Sequence, residues 1–231
     1  MPTRPDVAVV DIDGTLLDSN YHHTMAWARA FASVGRPVPL WRLHRHIGMG
    51  GDRLVAAVTD DDTEARLGDQ VRDRWQEEFD RIIDETRLLP GARELLDALA
   101  EAGLRVVLAS SSIPEHAAHP LRLLDAEERV DGWTTSADAE ESKPDPELIE
   151  TALERVDRDR AVMIGDSVWD VEAARRAGVP TIGLLTGGFS AAELREAGAA
   201  VVVDDPARLV RELPEVLAGI AERDAGAAAG E

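Results

Sequence analysis

The sequence predicts an α/β fold, an open doubly wound and mainly parallel sheet with an all-helical unit inserted after its first strand. Three observations predict it. Five short, nearly all-apolar and β-branched runs recur along the chain. Amphipathic helical patterns separate most of them, and residues 18–88 contain no such run at all. Strands buried on both faces and alternating with helices make a parallel sheet with right-handed crossovers.

The first run, VAVVD at 7–11, opens the sheet. Residues 18–88 then read as helices at about 20–34, 39–47, 51–59 and 63–85. The longest places Leu67, Val71, Trp75 and Phe79 at i, i+4 spacing. Six of the nine aromatics fall in this stretch (Tyr21, Trp27, Phe31, Trp41, Trp75 and Phe79), enough apolar bulk for a core of its own. We expect an inserted cap at 18–88 and a catalytic core formed by 1–17 and 89–220. The helical pattern 91–103 carries Leu95, Leu96 and Leu99 on one face and ends at Gly103, and 167–179 ends in the same way at Gly178. The remaining strand runs are 104–109, 161–166, 179–185 and 199–205, and a last helix is expected over 206–220 despite an internal proline. Residues 221–231 are expected to be a disordered tail.

Composition narrows the class. A length of 231 residues suits one large domain, or one domain carrying an insertion, at about 150 residues per domain. The net charge of −20 disfavours partners rich in phosphate backbone or anionic lipid. No cysteine is present, which excludes disulfides and thiolate chemistry. No apolar stretch approaches the roughly 18 residues of a membrane span. The expectation is a cytoplasmic protein, a monomer or weak homodimer, with neither a nucleic acid nor a membrane as partner. Of the 25 basic residues only Lys143 is a lysine. In a chain biased so far toward arginine, the surviving lysine invites a chemical reason.

Four places carry chemistry. The first strand ends in Asp11-Ile12-Asp13-Gly14-Thr15. Asp11 and Asp13 point the same way from an extended chain, and two adjacent carboxylates call for a cation or a shared proton. A polar strand end entering a turn is the plain alternative. The second long strand runs into Ser110-Ser111-Ser112, with Pro114 and Glu115 following. The serines stand at a helix N-terminus, where they either receive an anion or merely cap, Ser112 with capping-box spacing to Glu115. Lys143 lies in Ser142-Lys143-Pro144-Asp145-Pro146, just before a helix, where its ammonium can neutralise a phosphoryl oxygen and a carboxylate. The next strand ends in Gly165-Asp166-Ser167-Val168-Trp169-Asp170, whose two aspartates are either a metal ligand with its support or simple helix N-terminal acids.

Taken in order, DIDGT, Ser110, Lys143-Pro144 and GDSVWD resemble the four motifs of the haloacid dehalogenase-like hydrolases, over nearly the whole chain. The resemblance implies a Rossmann-like core, a helical cap of subfamily I, and a phosphatase or β-phosphoglucomutase-like activity. Asp11 becomes the nucleophile that forms an aspartyl-phosphate, and Asp13 the acid and base. Mg²⁺ is implied at Asp11, Asp13 and Asp166, with the backbone carbonyl of Asp13 as its ligand atom. Ser110, Ser111 and Lys143 hold the phosphoryl oxygens, and Asp170 orients Lys143 or a metal-bound water. The expected substrate is a small phosphorylated metabolite of phosphoglycolate or sugar phosphate type.

Asp13 argues against the dehalogenase branch, which lacks it. No lysine lies between residues 15 and 88, which argues against the Schiff-base phosphonoacetaldehyde branch. In the cap, His23 occupies the position of a mutase histidine, and Gly48-Met49-Gly50-Gly51 with Arg53 resembles a substrate-recognition loop. Gly50 and Arg53 are thus candidate substrate residues, Arg53 as a clamp for a second anion. Surface decoration and a plain helix connection remain the alternatives. A non-catalytic phospho-acceptor module is a further reading, opposed by Asp13 and by the length of the insertion.

Overall fold

The computed structural model describes residues 4–156 and 160–228. The chain begins with β1 (Val7–Val10) and a two-residue strand β2 (Leu17–Asp18). Four helices follow: α1 (Asn20–Ser33), α2 (Leu40–His44), α3 (Gly51–Val58) and α4 (Asp61–Asp80). Strand β3 (Arg87–Leu88) pairs antiparallel with β2, so the chain leaves and re-enters the α/β core through one short ribbon. Then come α5 (Ala92–Glu101), β4 (Arg105–Ala109), α6 (Pro114–Leu123), α7 (Ala126–Arg129) and β5 (Gly132–Thr134). The remainder is α8 (Glu147–Val156), β6 (Ala161–Gly165), α9 (Val168–Arg176) and β7 (Thr181–Leu184). It closes with α10 (Ala191–Ala197), β8 (Val201–Val203) and α11 (Pro206–Ala228).

Six strands form one parallel sheet in the order β5-β4-β1-β6-β7-β8. All five expected strands are in it, and β5 extends it by an edge that the apolar pattern did not announce. Successive residues of β1 serve opposite cores. Ala8 and Val10 pack with Leu95, Leu99 and Leu213 of α5 and α11, whereas Val7 and Val9 pack with Leu148, Ile149 and Ala173 of α8 and α9. Burial on both faces removes any need for polar alternation, which is why these runs are nearly all apolar. β1 lies at the centre, and the chain winds to β4 on one side and later to β6 on the other. The carboxyl ends of these three strands therefore surround one crevice, the place where open α/β sheets bind ligands.

The inserted helices have their own core of Trp27, Phe31, Leu43, Leu54, Val55 and Val71. α4 packs along α1 and α3. It begins earlier than expected because Asp60 caps it, accepting from Thr63 N at 2.7 Å. It also ends earlier, since Ile83–Glu85 form a separate 3₁₀ turn. At the other end, α11 continues to Ala228, through residues expected to be a disordered tail. Ile220 and Ala221 are buried and anchor it, and the alanine-rich sequence beyond has high helix propensity. Residues 229–231 of that expected tail lie outside the described residues. Among the described residues no helix is long and apolar enough to cross a membrane.

Candidate active site

β1 delivers Asp11 to the crevice, where its side chain is buried. Lys143 enters from the loop before α8, after which the Lys143-Pro144 peptide is cis. Its side chain is 1% exposed, and its Nζ lies against Asp11 Oδ1 and 2.7 Å from Asp170 Oδ1. The ammonium also donates to the carbonyl of Ala109 at 3.4 Å. Burial works against its charge, but Asp11 and Asp170 outweigh burial and hold the lysine pKa above its ordinary value. The one lysine of the chain is therefore the cation of its most acidic buried cluster.

Asp166 follows β6 and Asp170 is the third residue of α9. Both are buried, and both pack beside Asp11, with ligand atoms of all three carboxylates within 4.8 Å of one another. Thr15 Oγ1 and Asn20 Nδ2 each donate to Asp166 at 2.8 Å. Burial, then the charge of Asp170, pushes the Asp166 carboxyl up to about 7. Burial likewise pushes Asp11 well above the carboxylate range against the pull of Lys143, with Asp170, Asp166 and Asp13 adding to the rise. Ser167 caps α9 and ties Asp170 in a reciprocal box, its Oγ donating to Asp170 Oδ2 at 2.6 Å and accepting from Asp170 N at 3.3 Å. This leaves Oδ1 of Asp170 for Lys143. Three carboxylates against one ammonium leave an excess of buried negative charge. An all-oxygen donor set of this kind fits a hard divalent cation.

Asp13 is turned elsewhere. Its Oδ1 accepts from Ser19 Oγ at 2.6 Å and lies 3.2 Å from His23 Nε2, while its Oδ2 accepts from Ser112 Oγ at 3.0 Å. Burial raises its pKa, but the charge and hydrogen bond of His23, with those of the two serines, hold the carboxyl well below the usual range. The Asp13 carboxylate is thus committed to a hydrogen-bonded group of its own, which leaves its backbone carbonyl for the metal role that the resemblance implies. Gly14 makes the turn directly after Asp13 at φ +82°, and a Cβ there would fall 2.2 Å from Asp166 Oδ2. Only glycine lets the backbone pass so close.

The serine cluster divides its work differently from the capping reading. Ile113, not Ser112, is the N-cap of α6, and no side chain caps it. Ser112 gives its hydroxyl to Asp13 instead. Ser110 is buried and accepts from Ser112 N at 3.1 Å, which fixes the turn. Ser111 Oγ has no partner among the described residues. Ser111 lines a cavity of about 50 Å³ together with Asp11, Asp13, His23, Gly50 and Trp75. His23 and Gly50 are therefore brought to the site. Arg53 is not: it pairs with Glu141 and lies 3.9 Å from both Asp52 and Asp145. Sequence reasoning missed Thr15, Ser19 and Asn20 as supports. They lie within ten residues of Asp11, but no spacing rule marks them: Thr15 and Asn20 serve Asp166 across the fold, and Ser19 serves Asp13 six residues before it.

A family model for haloacid dehalogenase-like hydrolases matches residues 5–178. The chain belongs to the haloacid dehalogenase-like hydrolase family. It is 30% identical to a phosphorylated carbohydrates phosphatase of Thermotoga maritima, over 92% of this chain and all of that one. It is also 30% identical to a phosphoglycolate phosphatase of Agrobacterium fabrum, covering 94% of this chain and 97% of the relative. The crystal structure of a hydrolase from Pseudomonas syringae superposes with a TM-score of 0.85 at 32% identity, covering 91% of this chain and 98% of the other.

Proposed function

We propose that this hydrolase is an Mg²⁺-dependent phosphatase of small phosphomonoesters that works through a phosphorylated Asp11, with the helical insertion 18–88 as its cap and 1–17 and 89–220 as its catalytic core. The observation that carries the reading is the convergence of Asp11, Asp166 and Asp170 around Lys143, beside a cavity that Asp11 and Asp13 share. Bound at Asp11, Asp166 and the carbonyl of Asp13, the metal supplies charge neutralisation for the phosphoryl oxygens.

This chain's residues supply the rest. Lys143 opposes the burial that raises the Asp11 pKa, and it faces the phosphoryl group as charge develops. The Asp11 oxygen bonds to phosphorus as the ester oxygen leaves with a proton from the Asp13–His23 pair. A water then gives its proton to that pair, its oxygen bonds to phosphorus, and the Asp11–phosphorus bond breaks. Asp13 is held ionised in the resting pair, so the proton it passes on is shared with His23. Ser111, with a free hydroxyl in the cavity, is the donor best placed for a phosphoryl oxygen. Ser110 acts by fixing the turn that carries Ser111 and Ser112.

The mutase alternative draws on His23 and Trp27 in the cavity lining. The lysine-free cap argues for hydrolysis instead. The test is hydrolysis of p-nitrophenyl phosphate, which should vanish on chelation, return with Mg²⁺, and be abolished by Asp11→Asn in a protein that still folds. Full activity in excess chelator defeats the proposal. So does formation of glucose 6-phosphate from β-glucose 1-phosphate and catalytic glucose 1,6-bisphosphate faster than release of phosphate.

A further inference from the structure

Beside the cavity at Asp11 and Asp13 lies a larger one of about 260 Å³ between the helical insertion and the core. The two share Gly51, Trp75 and Ser111 in their walls, so a phosphoryl group in the first places its leaving group in the second. At about 30 Å³ per water the larger cavity holds roughly nine water volumes, room for a sugar-sized ring and several times what a two-carbon acid fills.

The charge around this space is one-sided. Asp52, Asp73, Glu140 and Glu141 line it, and Arg72 is the single cation among the described lining residues. Arg72 is already engaged on the insertion itself, 2.8 Å from Glu64 Oε1 and 2.8 Å from Asp69 Oδ1, while Nη1 donates to the carbonyl of Gly51 at 3.1 Å. Arg53, the candidate clamp for a second anion, is not among the lining residues and is paired with Glu141, which is. No uncommitted cation is there to receive a carboxylate or a second phosphate. Neutral hydrogen-bonding capacity is there. Ser111 Oγ and Trp75 Nε1 are buried without partners, Gln76 adds an amide, and the Trp75 ring, stacked on Trp27 at 4.9 Å, adds an apolar face.

We infer that the leaving group this enzyme accepts is an uncharged or cationic polyhydroxylated ring, a sugar or amino-sugar phosphate, and that acidic esters such as phosphoglycolate are disfavoured by charge. This rests on the phosphatase reading and goes further by naming the substrate class. The four carboxylates are exposed and partly screened by water, yet a like charge set beside them with no free counter-ion is still disfavoured relative to a neutral or cationic group.

The experiment compares kcat/KM for glucose 6-phosphate, glucosamine 6-phosphate and phosphoglycolate, with p-nitrophenyl phosphate as the reporter of phosphatase chemistry. The expected result is both hexose esters at least about tenfold above phosphoglycolate, with the amino sugar equal to or better than the neutral one. In the Glu141→Gln variant, which frees Arg53, the ratio of phosphoglycolate to glucose 6-phosphate should rise by about five- to tenfold. If p-nitrophenyl phosphate is turned over but phosphoglycolate matches or exceeds the hexose esters, the inference is overturned while the phosphatase reading stands. The same holds if Glu141→Gln leaves the ratio unchanged. If none of the four esters is hydrolysed, both fall.

Discussion

Replacing Lys143 by methionine tests the electrostatic logic of the site. The side chain keeps nearly its length and loses only the ammonium. In the native protein that ammonium is 1% exposed, contacts Asp11 and lies 2.7 Å from Asp170, and a third carboxylate, Asp166, belongs to the same cluster. Removing one partner of a buried ion pair costs about 3–5 kcal/mol, because the other charge stays behind unpaired. For a chain of this size about 2–4 °C of melting temperature accompanies each kcal/mol, so Lys143→Met should melt about 6–20 °C lower in chelator.

The penalty should depend on pH. A carboxyl whose folded pKa lies above its unfolded value stabilises the fold only while protonated. Its contribution falls as pH rises from the unfolded value near 3.8 through the folded one, about 7 for Asp166 and also raised for Asp11. The loss in the variant should therefore be largest near pH 8 and shrink toward pH 5. A divalent cation takes over part of the ammonium's role, so Mg²⁺ should raise the variant's melting temperature more than the native protein's. Thermal unfolding followed by circular dichroism, at both pH values and with chelator or Mg²⁺, measures all three quantities. A variant that melts within about 2 °C of native at pH 8 in chelator, or whose deficit is as large at pH 5, would show that the cluster is not held by this charge.

Gly14→Ala should cost about 1–3 kcal/mol or more by urea unfolding and blunt the Mg²⁺-induced thermal shift, since its Cβ would meet Asp166 Oδ2 at 2.2 Å and Asn20 Nδ2 at 2.3 Å. His23→Gln removes the charge and one hydrogen bond that hold Asp13 low, so the Asp13 carboxyl should titrate higher than in the native protein when followed by carboxyl-carbon NMR, and kcat/KM should fall. An unchanged titration would detach His23 from the proton relay. The net charge of −20 should make the melting temperature rise from low to molar KCl as repulsion among surface carboxylates is screened, and a flat response would show that this repulsion does not limit stability.

What the sequence made legible follows from how each feature is encoded. The sheet was legible because a strand buried on both faces is mostly apolar, and β1, β4, β6, β7 and β8 are, with Arg105 and Thr181 as the exceptions. Strand β5 was not, because Gly132-Trp133-Thr134 is a short edge strand without such a run. Lys143 was legible through its rarity, and Asp11, Asp166 and Asp170 through their place after strand ends. Side-chain direction was not. Ser112 has the spacing of a cap, but α6 starts at Pro114 with Ile113 as its N-cap, and Ser112 spends its hydroxyl on Asp13.

Arg53 shows the same gap at longer range, and with more consequence for function. From sequence it is a cation beside a glycine loop, and a clamp for an anion is the natural reading. Its partner, Glu141, lies 88 residues away in a segment whose acidic run 138–141 reads as solvated surface. Once the two are paired, the loop no longer offers a positive charge, and the carboxylates of the larger cavity set the sign of its field. The same four motifs thus permit either an acidic or a neutral leaving group. On the inference drawn above, the choice turns on the pairing of Arg53 with Glu141 and Asp145 and on the carboxylates of the larger cavity, which no motif records.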